Sequence, residues 1–574
     1  MSERPTIIKR IRRPLGKVRR WIKRRWWSRL TGRQYRRWLK EAERVEPGTG
    51  IDSERVAVIV PVFNPPVSLL RECLASVLAQ QARSWQLIVV DDGSTDAQVR
   101  DFLSEFEDST ALDERITVIR ATNGGISAAL NAGLAHVRTS HVGWLDHDDL
   151  LDPRCLEMFT ERIESTDPDI VYSDEDKVDE QGRHFEPYAK PDFSPELLMT
   201  QMYLCHFTAF RTDLLREIGG FRSQMDGAQD FDVALRLLPR VTAVEHIAHP
   251  LYHWRWWSQS TAQSIEAKPW ALEATTRVQR DYLERTFGGG VVEPGRVRGL
   301  NDLYPKLQQA LRVSVIIPTA GAIDQSTGRR HVDRAIQTLR EQETTTEIEI
   351  IVVVTGKPFA DIDADTIVTY QPEEGFNFSE AINLGRDSAT GDYLFLLNDD
   401  TRALTADPIT RMLELGQIPG VGIVGCALEY PDHRLQHAGI VLIPSGPTHC
   451  WIATSADNPG YFGSLLTPRN YSAVTAAAML VRTEVFDRVA GFDSKFARDF
   501  NDVDFCLRIG QAGFRTAWTP YARFVHYEGT SLVRKAPDQR EWETFRTRHH
   551  ATLERDPYYS PALGQTIERL YDIR

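Results

Sequence analysis

One ordered set of short motifs occurs twice in this 574-residue chain, and that repetition limits the fold more than any single motif does. The first copy reads VAVIVPVFN (Val56–Asn64), IVVDDGSTD (Ile88–Asp96), WLDHDDLL (Trp144–Leu151), AQDFDVALR (Ala228–Arg236) and LYHWR (Leu251–Arg255). The second reads VSVIIPTAG (Val313–Gly321), LLNDDT (Leu396–Thr401), FNDVDFCLR (Phe500–Arg508) and FVHYEGTS (Phe524–Ser531). Pro61 and Pro318 are 257 residues apart, Asp148 and Asp400 are 252 apart, and Asp230 and Asp502 are 272 apart. Length alone, at roughly 150 residues per domain, suggests three or four units. The repeat predicts two copies of one fold with additional tails.

Each copy opens on a short β-branched run followed by helical spacing. Val56–Val60, Leu87–Val90, Ile116–Ile119 and Val142–Leu145 read as strands, with Leu69–Gln80 and Ser127–Val137 as helices between them. Val313–Ile317, Glu349–Val354 and Tyr393–Leu397 repeat the strands. Uninterrupted apolar strands separated by helices predict an α/β fold, a mostly parallel sheet buried on both faces with right-handed crossovers. Ligands bind such sheets at the carboxyl ends of the strands, where DDGS and DHDD fall. The expected organisation is an arm over 1–50, a first domain over 55–285, a Gly/Pro-rich linker over 286–311, a second domain over 312–535 and a helical tail over 536–574.

Apolar content of 42% and charged content of 26% are those of an ordinary globular chain, and no 18-residue apolar run marks a membrane span. Six cysteines lie without paired spacing, which predicts reduced, mostly buried thiols rather than a zinc or disulfide framework. Charge is uneven. Residues 1–40 hold sixteen Lys or Arg against Glu3, for +15, while the whole chain is −12, which leaves −27 on the remainder. Val18, Ile22, Trp26 and Leu30 share a helical face flanked by Trp21 and Trp27. A helix of this kind is expected to lie on an anionic membrane surface, each cation adding about 1 kcal/mol. The competing reading is a solvated arm. The acidic body argues against nucleic acid, whose phosphates it would repel. The basic stretch lacks the apolar core of a secretory signal, so the expected location is cytoplasmic, peripheral at the inner face of the membrane.

Asp146 and Asp148 alternate past the end of a strand, so both carboxylates can face one side of the turn. Such hard oxygen donors suit Mg²⁺ or Mn²⁺ beside a diphosphate. Asp230 begins a helix, where a carboxylate can act as a general base or merely cap the helix. Asp232, Asp504, Arg236 and Arg508 read as supports of that helix. DDGS, DHDD and QDFD together resemble family 2 glycosyltransferases of the GT-A fold, over about residues 55–265 and 312–535. The second copy is also similar to bacterial O-antigen and surface-polysaccharide transferases through YPDHRLQHAGIVL (Tyr430–Leu442), RNYSAVTAAAMLVRTEVFDRVAGFD (Arg469–Asp493) and HYEGTS.

The resemblance implies two tandem Rossmann-like GT-A domains and a metal-dependent, inverting hexosyl or deoxyhexosyl transfer. The donor would be a nucleoside-diphosphate sugar, the acceptor lipid-linked or polysaccharide. By residue, it implies that Asp91 and Asp92 contact nucleobase and ribose, that Asp146 lies near ribose or metal, that Asp148 and His253 bind metal, and that Asp230 is the base. In the second copy it assigns Asn398 to the position of Asp146, Asp400 and His526 to the metal, and Asp502 to the base. An Asx-turn at Asp91–Asp92 and a histidine held in the fold beside Trp254 and Trp256 are the competing readings there. The second copy has Thr355 and Gly356 where the first has paired acids. Two functions therefore stand side by side: a bifunctional transferase, or one transferase joined to a non-catalytic, glycan-binding copy. A nucleotidyltransferase, the third alternative, lacks its Gly-rich loop and paired Lys here.

Overall fold

The computed structural model describes Tyr35, Leu39 and residues 53–257, 269–342, 344–359, 361–373, 375–527 and 537–573. In order, the first half carries β1 (Val56–Val62), β2 (Gln86–Asp92), β3 (Ile116–Ala121), β4 (His141–Trp144), β5 (Leu150–Leu151), β6 (Ile170–Asp179), β7 (His184–Tyr188), β8 (Thr208–Arg211) and β9 (Val244–Trp256). A hairpin follows, β10 (Gly290–Pro294) and β11 (Asn301–Pro305). The second half carries β12 (Arg312–Thr319), β13 (Glu347–Thr355), β14 (Thr366–Tyr370), β15 (Tyr393–Leu397), β16 (Thr401–Ala403), β17 (Val421–Glu429), β18 (Leu435–His437), β19 (Ile440–Ile443), β20 (Gly446–His449), β21 (Arg469–Asn470), β22 (Ala478–Arg482) and β23 (Arg515–His526).

The two main sheets have one strand order. The first runs β3-β2-β1-β4-β8-β6-β9-β5, and the second runs β14-β13-β12-β15-β22-β17-β23-β16. Directions match as well. β1 is parallel to β2 and β4, as β12 is to β13 and β15, and β8 and β22 are the antiparallel strands that follow. β1 and β2 are buried along their whole length, and only Arg312 of β12 is partly exposed. That double-sided burial explains why these strands read from sequence as unbroken β-branched runs.

The stretch expected to link the copies instead forms the antiparallel β10–β11 hairpin, after the long helix Pro269–Phe287. Leu303 is buried in the apolar cluster shared by both halves, and Val292 packs against that cluster. This apolar cluster continues from Tyr172, Tyr203 and Phe231 to Val315, Phe395 and Phe524, so the halves share one core cluster beside those of their own. Polar contacts reinforce the junction. Ser194 Oγ donates to Asn470 Oδ1 at 2.7 Å, the Ala189 N–H donates to Tyr461 Oη at 2.9 Å, and Tyr188 stacks on Phe462 at 3.9 Å. Arg515 reaches across to Glu196 at 2.7 Å, where the carboxylate is fully buried.

Among the described residues of the C-terminal segment, Gln539–Glu554 is α-helical and Ile567–Arg569 forms a single 3-10 turn; Asp556 between them accepts from the Leu442 N–H and from Ser472 Oγ. The basic helical stripe predicted for the arm lies outside the described residues. Tyr35 and Leu39 are helical and buried. All six cysteines are free, and five of them are buried. Among the described residues, no helix is long and apolar enough to cross a membrane.

Removing one partner of a buried pair leaves the other charge stranded. Arg515 keeps part of its hydration, so Glu196→Ala should cost about 3 kcal/mol, the low end for such a loss. Urea unfolding measures it, and a loss below about 1 kcal/mol would mean the pair does not hold the halves together.

Candidate active site

The DHDD turn is built by hydrogen bonds that leave two of its acids free. Asp149 is buried. It accepts from Tyr252 Oη at 2.5 Å and from the Arg255 N–H at 2.7 Å, while the Arg255 guanidinium donates to the Asp148 carbonyl at 2.7 Å and to Glu72 at 2.6 Å. Burial, together with the neighbouring Asp146 and Asp148, pushes the Asp149 carboxyl well above the usual range. With the turn fixed in this way, Asp146 and Asp148 stay partly exposed. Neither carboxylate has a hydrogen bond or ion pair among the described residues. Two unpartnered hard oxygen donors on one turn form a donor set that suits Mg²⁺ or Mn²⁺.

Asp230 sits in the first turn of the helix Gln229–Leu237, where the helix dipole favours a carboxylate. It accepts from Gln229 Nε2 at 3.0 Å. Desolvation and the like charge of Asp146 raise its carboxyl to about 6, against the lowering effects of His206, Gln229 and Trp144. The electrostatic coupling brings Asp230 and Asp146 to one site, although they are distant in sequence. Two residues along, Asp232 pairs with Arg222 and Arg236, and Arg236 donates to the Ile218 and Gly220 carbonyls at 2.7 and 2.5 Å. Arg508 donates to the Val489 and Gly491 carbonyls at 2.8 and 2.7 Å, the same support in the second copy.

Asp91 and Asp92 end β2 and are buried. Asp91 accepts from the Ser94 N–H at 2.9 Å and from Arg120 at 3.2 Å. Asp92 accepts from the N–H groups of Gly124 and Gly125 at 2.8 and 3.0 Å. Gly125 has φ of +87°, and a Cβ there would lie 2.6 Å from Asp226 Oδ2, so this loop needs glycine. Both acids thus hold the loops that border the acid-lined turn.

His253 is not brought to Asp148. Its Nδ1 meets Asp176 Oδ1 at 2.6 Å and its Nε2 faces Asp152 Oδ2 at 3.8 Å. Burial pulls the imidazole down, but the charges of Asp176 and Asp152 outweigh it and push the group up to about 9. In the second copy the predicted residues do meet: His526 Nε2 lies 3.0 Å from Asp400 Oδ1 and 3.3 Å from Asn398 Nδ2. The ladders account for the difference. Leu150, two residues after Asp148, pairs with His253, whereas Thr401, one residue after Asp400, pairs with His526. His526 therefore corresponds to Trp254, and a one-residue shift on a strand turns the side chain to the opposite face. Asp502 differs from Asp230 in its partners, because its carboxylate accepts from the Ala476 and Val503 N–H groups at 3.2 and 2.8 Å. Desolvation still raises it above the ordinary carboxylate range.

His206 and Lys190 escaped the sequence reading. Lys190 is fully buried, and its ammonium donates to the Ser173, Leu204 and His206 carbonyls at 2.7, 2.6 and 3.1 Å and to Glu175 at 3.1 Å. It therefore fixes the segment that carries His206, whose charge lowers the Asp230 carboxyl. The only signal was the acid-rich run SDED (Ser173–Asp176), an unusual composition for a strand interior.

Residues 57–219 match the family model described as glycosyl transferase family 2. The chain is 36% identical over 537 residues to an uncharacterized protein, y4gI, of Sinorhizobium fredii, covering 89% of this chain and 57% of that one. It is 30% identical over 534 residues to the O-antigen biosynthesis protein RfbC of Myxococcus xanthus, covering 89% of this chain and 40% of that one. A chondroitin synthase of Escherichia coli is 28% identical over 219 residues, 37% of this chain and 31% of the synthase. The chain thus spans 57% or less of the length of these relatives. A crystal structure of S. aureus TarS 1–349 in complex with UDP-GlcNAc covers 41% of this chain and 73% of that one at 18% identity, with a TM-score of 0.31, too low to carry an argument.

Lys190→Met would leave Glu175 and three carbonyls without their shared donor. It should destabilise the protein by about 3–5 kcal/mol in urea unfolding, and a cost under about 1 kcal/mol would refute the clamp.

Proposed function

We propose that this chain, whose residues 57–219 match the glycosyl transferase family 2 model, moves a sugar from a nucleoside-diphosphate donor to an acceptor hydroxyl, with inversion, in surface-polysaccharide assembly. The observation that carries this reading is the pair of unpartnered carboxylates on the DHDD turn, one of which, Asp146, acts with burial to raise Asp230. Asp146 and Asp148 would hold a divalent cation, which when bound would neutralise the donor diphosphate.

Asp230 acts as the base. The acceptor oxygen forms its bond to the anomeric carbon from the face opposite the diphosphate. Its proton passes to the Asp230 carboxylate as the carbon–oxygen bond to the diphosphate breaks and the electron pair leaves with it. Gln229 orients that carboxylate through its hydrogen bond, and the charge of His206 favours its ionised form. Asp91 and Asp92 shape the nucleoside pocket by holding its loops.

The second copy supports a second transferase site through its assembled Asn398, Asp400 and His526 corner. A specific observation favours the rival reading, a non-catalytic glycan-binding copy: the Asp502 oxygens already accept from two backbone N–H groups. The basic arm would bring the protein to a lipid-linked acceptor at the cytoplasmic face of a membrane.

Asp230→Asn should lower kcat by roughly 10²–10⁴-fold in nucleotide-sugar transfer assays. If Asp502→Asn leaves every transfer step unchanged, the bifunctional reading fails. A base must be ionised to work, so kcat/KM should rise with pH through about 6 and level off above it. An identical ascending limb in Asp230→Asn would remove Asp230 from that role.

A further inference from the structure

Outside the strand-end acids, one other cluster brings nitrogen and oxygen donors together. Asp176 on β6, His184 on β7 and His253 on β9 place their donor atoms within 4.8 Å of one another, and this is the sole such group among the described residues. Asp176 is fully buried and is shared. Oδ1 meets His253 Nδ1 at 2.6 Å, and Oδ2 meets His184 Nδ1 at 2.8 Å and Tyr35 Oη at 2.5 Å. We propose that Asp176, His184 and His253 form a transition-metal site of the Zn²⁺ class, separate from the acids of the DHDD turn.

Three features support a cation here. First, two imidazoles and one carboxylate suit Zn²⁺ and its first-row neighbours, whereas Mg²⁺ selects all-oxygen surroundings. Second, a metal-bound histidine keeps its orientation by turning its other ring nitrogen to a carboxylate, and His253 Nε2 faces Asp152 in that way. Third, His184 lies on a short strand paired only with β6, and its side chain is 29% exposed, so a cation can reach the cluster without opening the core. The cation would replace the protons now shared between Asp176 and the two imidazoles, leaving a fourth position open. Because Tyr35 bonds the same carboxylate, the filled site would staple the β6–β7 hairpin, β9 and Tyr35 into one unit.

The test uses the full chain, stripped with a chelator and dialysed against ZnCl₂ in excess Mg²⁺, with bound zinc counted by mass spectrometry. Wild type should hold about one Zn²⁺ per chain more than His184→Gln, and Asp148→Asn should match wild type. Asp152→Asn should bind this zinc about 10–100-fold more weakly. Cobalt loading should give visible d–d absorption in wild type and Asp148→Asn and none attributable to this site in His184→Gln. Matched circular dichroism in chelator controls for folding. Equal zinc in wild type and His184→Gln overturns the site, as does loss of the extra zinc in Asp148→Asn with retention in His184→Gln.

Discussion

Every carboxylate that this fold takes out of water must find a partner, and the organisation of the first unit follows from that constraint. β6 carries Asp174, Glu175 and Asp176 in a row, all buried. Asp174 meets His246 at 2.8 Å, Glu175 meets Lys190 at 3.1 Å, and Asp176 meets His253, His184 and Tyr35. The partners come from β9, β7, the loop that carries Lys190, and Tyr35. Desolvated charges with no partner cost several kcal/mol, so the strand can be buried only when those segments are docked. The acid-rich strand thereby specifies the arrangement around it.

The same rule separates the unpartnered acids from the supporting ones. Asp149, Asp92 and Asp232 are saturated by protein donors, and each holds a loop or helix in place. Asp146 and Asp148 have no such donors and remain partly exposed, next to a carboxyl raised by desolvation at Asp230. A site that binds an anionic ligand through a cation needs free oxygens on a rigid frame, and the saturated acids supply the frame.

The central strands were legible because burial on both faces makes them continuous apolar runs: Val56–Val60 and Val313–Ile317 both fall within observed strands. The β10–β11 hairpin was not legible, because its glycines and prolines read as breaks while its Leu303 is buried only by residues distant in sequence. β6 was obscured for the opposite reason, since a run of acids ordinarily marks a solvated face. Asp148 and Asp230 could be singled out by their recurrence in the second copy, and Asp146 by its place in the same turn. His206 and Lys190 have no such local pattern, and they meet the site through tertiary packing alone.

The histidines show how fine the remaining distinction is. His253 and His526 occupy similar motifs, yet the ladders set one opposite Leu150 and the other opposite Thr401. Because side chains alternate faces along a strand, this single residue sends His526 to Asp400 and His253 to Asp176. The shared strand order conserves the frame, and register then decides what chemistry each corner holds. In the first unit His253 turns away from the strand-end acids and Asp230 accepts from the Gln229 side chain. In the second, the imidazole joins Asp400 while backbone amides occupy Asp502. Duplication of the fold therefore does not by itself duplicate these contacts: the two copies partner their corresponding acids differently.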